Sequence, residues 1–317
     1  MDSPPPSLQP STLPPPVPEL YRSTLPWPDL LAGVAAATRR LVHAHSRHFL
    51  ALTSLLLLPL GLLLIALPTP LLPSISLCSP LPDPRRSPLP APLPLLYLAA
   101  ALLYLAAFAA AATSAHAGFF GRPVRLLASL RSVPASLLRL AVTALPSTPL
   151  LLLPLLPLPG HLGAGLAVLG FVLLSPFWSL AGAAAVVEST AGLVPLRRSC
   201  RLLSGARLAA LSAFLVFAAG VGVTLSGFGG VAAGTYDAAA GWAGMAPVVV
   251  KAVAGTALLA VLMQYGIVAN VVLYMHCRAL QGELAGEIYN EFADMYVFLP
   301  FDDGKNRHVI SVVTVWP

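Results

Sequence analysis

Charge is what this sequence has least of. Only 9% of its 317 residues are Asp, Glu, Lys or Arg, against about 25% in an ordinary soluble domain. From Leu140 to Val187 no residue is charged apart from a possible charge on His161. Hydrophobic residues make up 57% of the chain, an excess that a water-soluble core does not absorb, so the composition excludes a soluble globular class. Cysteine is scarce too. Cys78, Cys200 and Cys277 form no CxxC pair, which argues against a disulfide framework or a zinc site. Cys200 and Cys277 flank apolar runs, where S-palmitoylation is chemically open, with an inert juxtamembrane thiol as the blander reading. The start of the chain lacks a basic segment followed by an apolar one, so no cleaved signal peptide is expected.

Catalytic signatures are missing as well. There is no GxSxG, and histidines and carboxylates do not cluster as a dyad would require. The residues after the last apolar run are too few for a sizeable catalytic domain. No enzyme activity, metal or cofactor is expected on these grounds. The net charge of +6 does not indicate nucleic acid, because the charges sit in short clusters beside apolar runs, as membrane-flanking residues do.

What is present is a set of apolar runs, each near the roughly 20 residues needed to cross a bilayer. They fall at about Phe49–Leu67, Pro94–Ala115, Leu138–Leu156, Leu162–Val187, Leu208–Ala232 and Val248–His276. Pro157, Pro159, Gly160 and His161 supply the turn that divides the long uncharged stretch in two. Of the 18 Lys and Arg residues, only Arg85, Arg86 and Lys251 fall in or beside the gaps on one side of these spans. The positive-inside rule then puts both termini in the cytosol. The fold class expected is all-α: a polytopic helical membrane protein of about six transmembrane helices with interfacial amphipathic helices. Residues 1–27 read as a disordered Pro-rich cytosolic tail, 28–276 as the membrane domain, and 277–317 as an acidic cytosolic tail. The membrane is a plasma membrane or an endomembrane.

Each basic gap has amphipathic character. In Asp29–His48, Leu30, Leu31, Val34, Leu41 and Val42 approximate helical spacing while Arg39, Arg40, His43 and Arg47 take other faces. The runs Val124–Leu130 and Cys200–Ala206 share Arg-Leu-Leu, which suggests a repeated unit of basic helix plus hairpin, or chance similarity in Leu-rich sequence. Such helices would lie in the interface with arginines among anionic headgroups. The third run carries Pro146, Pro149, Pro154, Pro157 and Pro159 within or just after it, so a kinked or partly broken span is expected.

The remaining candidates are polar or small residues in apolar context. His43, His45 and His48 lack a carboxylate to complete a metal set, so they read as a solvated interfacial face. Gly222, Ser226, Gly230 and Gly234 recur every fourth position and read as a helix-packing stripe. Lys251 is placed to snorkel outward. Gln264 and Asn270 lie deeper in the sixth span, as interhelical hydrogen-bond partners or as lining of a polar pathway. Glu283, Glu287, Glu291 and Asp294 form an acidic stripe on a helix expected to continue from the sixth span. This stripe is a surface for the basic helices of the same molecule or for a cytosolic protein partner.

The segment from Val187 to Arg207 holds the most motif-like pattern. Glu188, Gly192, Leu196, Arg197, Arg198, Ser199, Leu202 and Gly205 resemble the membrane domain attached to some bacterial glycerophosphodiester phosphodiesterases. The chain as a whole, including Phe298-Leu-Pro-Phe-Asp-Asp-Gly304, resembles a family of plant multi-span membrane proteins of unknown function. The bacterial enzymes carry their activity in a soluble barrel that this chain lacks, so the resemblance implies a six-span helical domain and no phosphodiesterase. From its position beside the arginines, Glu188 is expected to form a loop-fixing ion pair. Arg197, Arg198, Arg201 and Arg207 are candidate ligands for a lipid phosphate. The function expected is a non-enzymatic membrane-organising or interaction protein contacting anionic membrane lipids. The alternative is a small-solute transporter or channel with a pathway near the third and sixth spans.

Overall fold

The computed structural model describes residues 26–66, 92–147, 160–229 and 241–284. Helix α1 (Trp27–Ala44) takes Pro28 and Asp29 in its first turn, the former needing no backbone donor there and the latter favouring the positive helix end. His45 leaves helical geometry, and α2 (Ser46–Leu52) starts anew beyond it. A π-helical turn, Thr53–Leu57, joins α2 to α3 (Leu58–Ala66). Pro59 accounts for that turn, since its ring clashes with the carbonyl four residues back and the wider turn relieves the clash. Then follow α4 (Pro92–Phe119), α5 (Leu126–Ala144), α6 (Gly160–Val187), α7 (Leu193–Leu202), α8 (Arg207–Phe228) and α9 (Gly241–Leu280). No strand occurs among the described residues.

Six helices are long and apolar enough to cross a membrane: Ser46–Ala66, Leu95–Phe119, Leu126–Ala144, Leu169–Val187, Arg207–Phe228 and Gly244–Leu280. Their packing is the inverse of a soluble protein's. Small side chains face inward: Ala107, Ala109, Ala110, Ala111, Ala112 and Ala115 on α4, and Ala181, Ala183, Ala184 and Ala185 on α6, are buried. Large ones face outward, as Leu166 and Leu173 on α6, Val216 and Val223 on α8, and Val250 and Val253 on α9 do. In water such a surface is an aggregation liability. In lipid, where apolar surface gains nothing by leaving the tails, close approach through small residues holds helices together.

The core gathers at one end of the bundle. Phe119 stacks edge-on to His276, and Tyr274 bonds to Glu188, so α4, α6 and α9 all finish at that end. It is also the basic end: every described arginine lies there, while Lys251 sits toward the opposite one.

Two expectations meet the structure only in part. The described helix in this region runs over Leu126–Ala144. The helix begun in the basic segment continues into the start of the span expected at Leu138–Leu156, because Pro134 removes only one donor within it; residues 148–156 of that span lie outside the described residues. The Ser129 hydroxyl meets Ser114 near the end of α4, and the Thr143 hydroxyl meets Gly192 just beyond α6. Both ends of α5 are thereby tied to the basic end. Its hydroxyls at Ser129, Ser136 and Thr143 are buried, while Leu127, Leu138 and Leu145 point outward. Secondly, the shared Arg-Leu-Leu is no structural repeat: it opens α5 but closes α7.

The small-residue stripe is likewise out of phase. Gly222 faces open space and Ser226 is exposed, while Gly230 and Gly234 lie outside the described residues. The face of α8 that meets α9 holds Phe217, Gly220 and Phe228, which approach Gly266, Leu262 and Gly255. A shift of two residues turns a helix by about 200°, so a correct period with the wrong phase points away from the neighbour.

Candidate functional site

Helix α6 ends at Val187, and the next residue, Glu188, still donates its amide to Ala184. The chain then reverses through Ser189 and Gly192, at φ of 57° and 75°. Gly192 is at the start of α7, where its left-handed backbone suits a residue without Cβ. The loop is pinned by the Gly192 amide, which donates to Thr143 Oγ1 across 3.2 Å. On α7, Pro195, Ser199 and Leu202 are buried and fix the roll of the helix. That roll turns the Arg198 side chain inward.

Arg198 sits between two carboxylates. Its Nε donates to Glu188 Oε1 at 3.0 Å, one terminal nitrogen donates to Glu283 Oε1 at 2.8 Å, and the other donates to Glu283 Oε2. The Glu283 contact is a two-pronged fork, the strongest geometry a guanidinium offers a carboxylate. The Tyr274 hydroxyl, on a fully buried side chain, donates to Glu188 Oε1 across 2.6 Å. Arg278 lies over the Tyr274 ring, 5.8 Å from its centroid, and its Nε is 3.8 Å from Glu283 Oε2. Two carboxylates and two guanidiniums thus balance formally. Burial by itself would lower the Arg198 pKa, but the hydrogen bonds and charges of Glu283 and Glu188 more than offset it and hold it above its ordinary value.

Glu283 reaches this position because α9 stops. The helix ends at Leu280, and Gly282 turns the chain with φ of 76°. Gln281 then donates to the Arg201 carbonyl across 3.1 Å, which ties the turn to the end of α7. The acidic stripe therefore does not continue the sixth span as one helix. Its first member is drawn into the cluster; Glu287, Glu291 and Asp294 lie outside the described residues.

The four candidate arginines separate. Arg198 forms the ion pair with Glu188 and is taken up by the carboxylates, whereas Arg197, Arg201 and Arg207 are exposed. Residues of the outward side of α7 recur at helical spacing: Leu193, Val194, Arg197, Cys200 and Arg201 are all exposed. Cys277 is buried, which leaves Cys200 as the accessible thiol of the two.

The intramembrane polar residues are interhelical partners. Asn270 donates to the Ser179 carbonyl at 2.7 Å, linking α9 to α6. Gln264 is buried and accepts a long 3.4 Å contact from Thr53 in the π-helical turn, while its Nε2 finds no partner. A groove of about 260 Å³ opens between α4, α5, α6 and α8, and neither Gln264 nor Asn270 lines it. The histidines do not converge: His43 is exposed, whereas His48 is half-buried and bonds to Ser114 at 2.8 Å. No metal-binding group of three occurs among the described residues.

Sequence reasoning singled out Glu188 and its arginines but missed Tyr274, and it left Arg278 and Glu283 as tail charges. Tyr274 and Arg278 are four residues apart, on one face of the last turns of an otherwise apolar helix. That spacing was the available signal.

Residues 162–288 are similar to a family described as a domain of unknown function (DUF8558). That segment contains every member of the cluster, together with Gln264 and Asn270. Comparison with curated proteins finds no match, and comparison with solved structures finds none either.

Proposed function

We propose that this chain is a non-enzymatic membrane-organising or interaction protein whose basic end, facing the cytosol, contacts anionic lipid. The observation that carries this reading is the outward side of α7, where exposed Leu193 and Val194 adjoin exposed Arg197 and Arg201. Apolar side chains beside flexible cations suit the boundary between acyl chains and headgroups, where each basic residue gains about 1 kcal/mol from an anionic surface. Arg207 extends the same chemistry, and Arg39 and Arg40 add to it on α1, whose buried stripe of Leu30, Val34, Thr38 and Leu41 holds it against the bundle. The pinning of α5 at both ends, with leucines outward, suits a helix lying in the interface. The polar residues of α9 bind other helices, which suits an organising role better than a solute pathway.

The test is lipid selectivity. The protein is reconstituted in nanodiscs of phosphatidylcholine with a minor fraction of phosphatidylserine, and co-retained lipid is measured. Enrichment of phosphatidylserine that falls several-fold in a triple Arg197→Gln, Arg201→Gln, Arg207→Gln variant supports the reading. Equal retention of both lipids by the parent protein overturns it.

A further inference from the structure

The fork between Arg198 and Glu283 has the chemistry of a phosphate site occupied by the protein's own carboxylate. A guanidinium presents the same pair of parallel donors to a carboxylate and to a phosphate. Arg278 approaches the same Glu283 oxygen from the other side, and exposed Arg197 and Arg201 lie within one turn of Arg198 on α7. Removing Glu283 would leave Arg198 and Arg278 facing a vacated anion position. The holder of that carboxylate is a short turn, Gln281–Leu284, hinged at Gly282, with the Gln281 side chain bonded to the Arg201 carbonyl and Leu284 buried against the bundle. Arg198 and Glu283 are each partly open, with side chains 23% and 31% exposed, so a competing anion has access.

We infer that Glu283 is a built-in competitor for a phosphate group, and that a phosphate docking on Arg198 and Arg278 displaces the Glu283 carboxylate and loosens the turn 281–283. The ligand chemistry is a phosphate carrying no second ester, either the monoester headgroup of a lipid such as phosphatidic acid or free phosphate, as distinct from the diester of phosphatidylcholine. Glu188 stays bound to Arg198 and Tyr274 throughout, so the loop between α6 and α7 keeps its shape while the turn moves. This inference rests on the proposed anionic-lipid contact and adds to it a specific position and a displaced residue.

The full chain in nanodiscs supplies the test, with hydrogen–deuterium exchange read on the peptide covering 279–284. The amides of Gln281 and Gly282, bonded to Arg278 and Ala279 in the docked turn, report undocking directly. Three conditions are compared: phosphatidylcholine alone, phosphatidylcholine with phosphatidic acid, and phosphatidylcholine with millimolar inorganic phosphate. Faster exchange with phosphatidic acid alone assigns a lipid headgroup, and faster exchange with inorganic phosphate assigns a free phosphate. The Glu283→Gln variant is expected to exchange fast in every condition and to retain about tenfold more phosphatidic acid, with Glu283→Asp restoring the parent behaviour. Phosphatidic acid retained by the parent without any change in exchange overturns the inference and leaves the general lipid contact standing. No retention of anionic lipid and no response to phosphate overturns both.

Discussion

The Tyr274 hydroxyl donates to Glu188 across 2.6 Å, and this bond joins the last turns of α9 to the end of α6. Around it, Arg198 brings in α7 and Glu283 brings in the turn after α9. Two stretches of chain, 188–198 and 274–283, therefore meet on charged and hydroxyl groups although some 75 residues separate them.

Tyr274→Phe removes one hydrogen bond to a charged acceptor and is expected to cost about 1.5 kcal/mol. Glu188→Gln weakens the bonds from both Tyr274 and Arg198 and is expected to cost about 2 kcal/mol. Because both changes act on one oxygen, the double variant should lose less than the two single losses together. Thermal unfolding in detergent measures all three. Strict additivity would show that the two residues do not act through each other.

Helix contact in the bundle is set by phase as well as by residue size. A Cβ at Gly255 would lie 2.5 Å from the Phe228 Cβ, whereas one at Gly222 would meet nothing within 4 Å. Gly255→Ala is expected to destabilise by about 1–3 kcal/mol, the usual range for overpacking. Gly222→Ala should stay within about 0.5 kcal/mol of the parent, as substitutions away from contacts do. Melting curves of the two variants side by side decide it.

Much of this architecture was legible in the sequence because lipid imposes simple rules. Span length, the basic bias and the stop at each arginine cluster follow from hydrocarbon thickness and headgroup charge, and those rules located five of the six helices closely. At Leu126–Ala144, Arg131 and Arg139 suggested a basic connector, and the helix there is tied to the basic end at both of its ends; most of the apolar run that follows it lies outside the described residues. The rules failed at Gly222, since period is visible in sequence and the direction of the neighbouring helix is not. At the site, Glu188 and Arg198 are ten residues apart and could be paired on sight. Glu283 is 85 residues from Arg198 and arrives only because Gly282 turns the chain, a relationship that lives in tertiary structure.

The two polar residues deep in α9 should behave differently. Asn270→Leu breaks a 2.7 Å bond to the Ser179 carbonyl and is expected to cost roughly 0.6–1.7 kcal/mol, the range for interhelical hydrogen bonds in membranes. Gln264→Leu should be neutral or stabilising, because its buried Nε2 has no partner and its Oε1 holds only a 3.4 Å contact. A replacement of similar volume removes that unpaired polar group from the interior. Unfolding of each variant in detergent checks this. A strongly destabilising Gln264→Leu would point to an ordered water on the amide.

Orientation is open to a labelling experiment built on exposure. Cys200 is exposed on α7 at the basic end, and Cys277 is buried. Lys251 is exposed on α9, 25 residues before His276, which is about 38 Å along a helix axis and more than the roughly 30 Å of hydrocarbon. The two ends of that segment therefore reach opposite interfaces. With Cys78→Ser as background, Cys200 is expected to react with a membrane-impermeant maleimide only after permeabilisation. With Cys200→Ser added, a Lys251→Cys variant is expected to react from outside intact cells, or from the lumen in inverted organelle vesicles. The exposure of Cys200 makes its side readable, and the charge bias alone predicts which side that is. Reversed labelling would mean that the arginines at the basic end do not set the topology, and the proposed contact with anionic lipid would then have to be made in the outer or luminal leaflet.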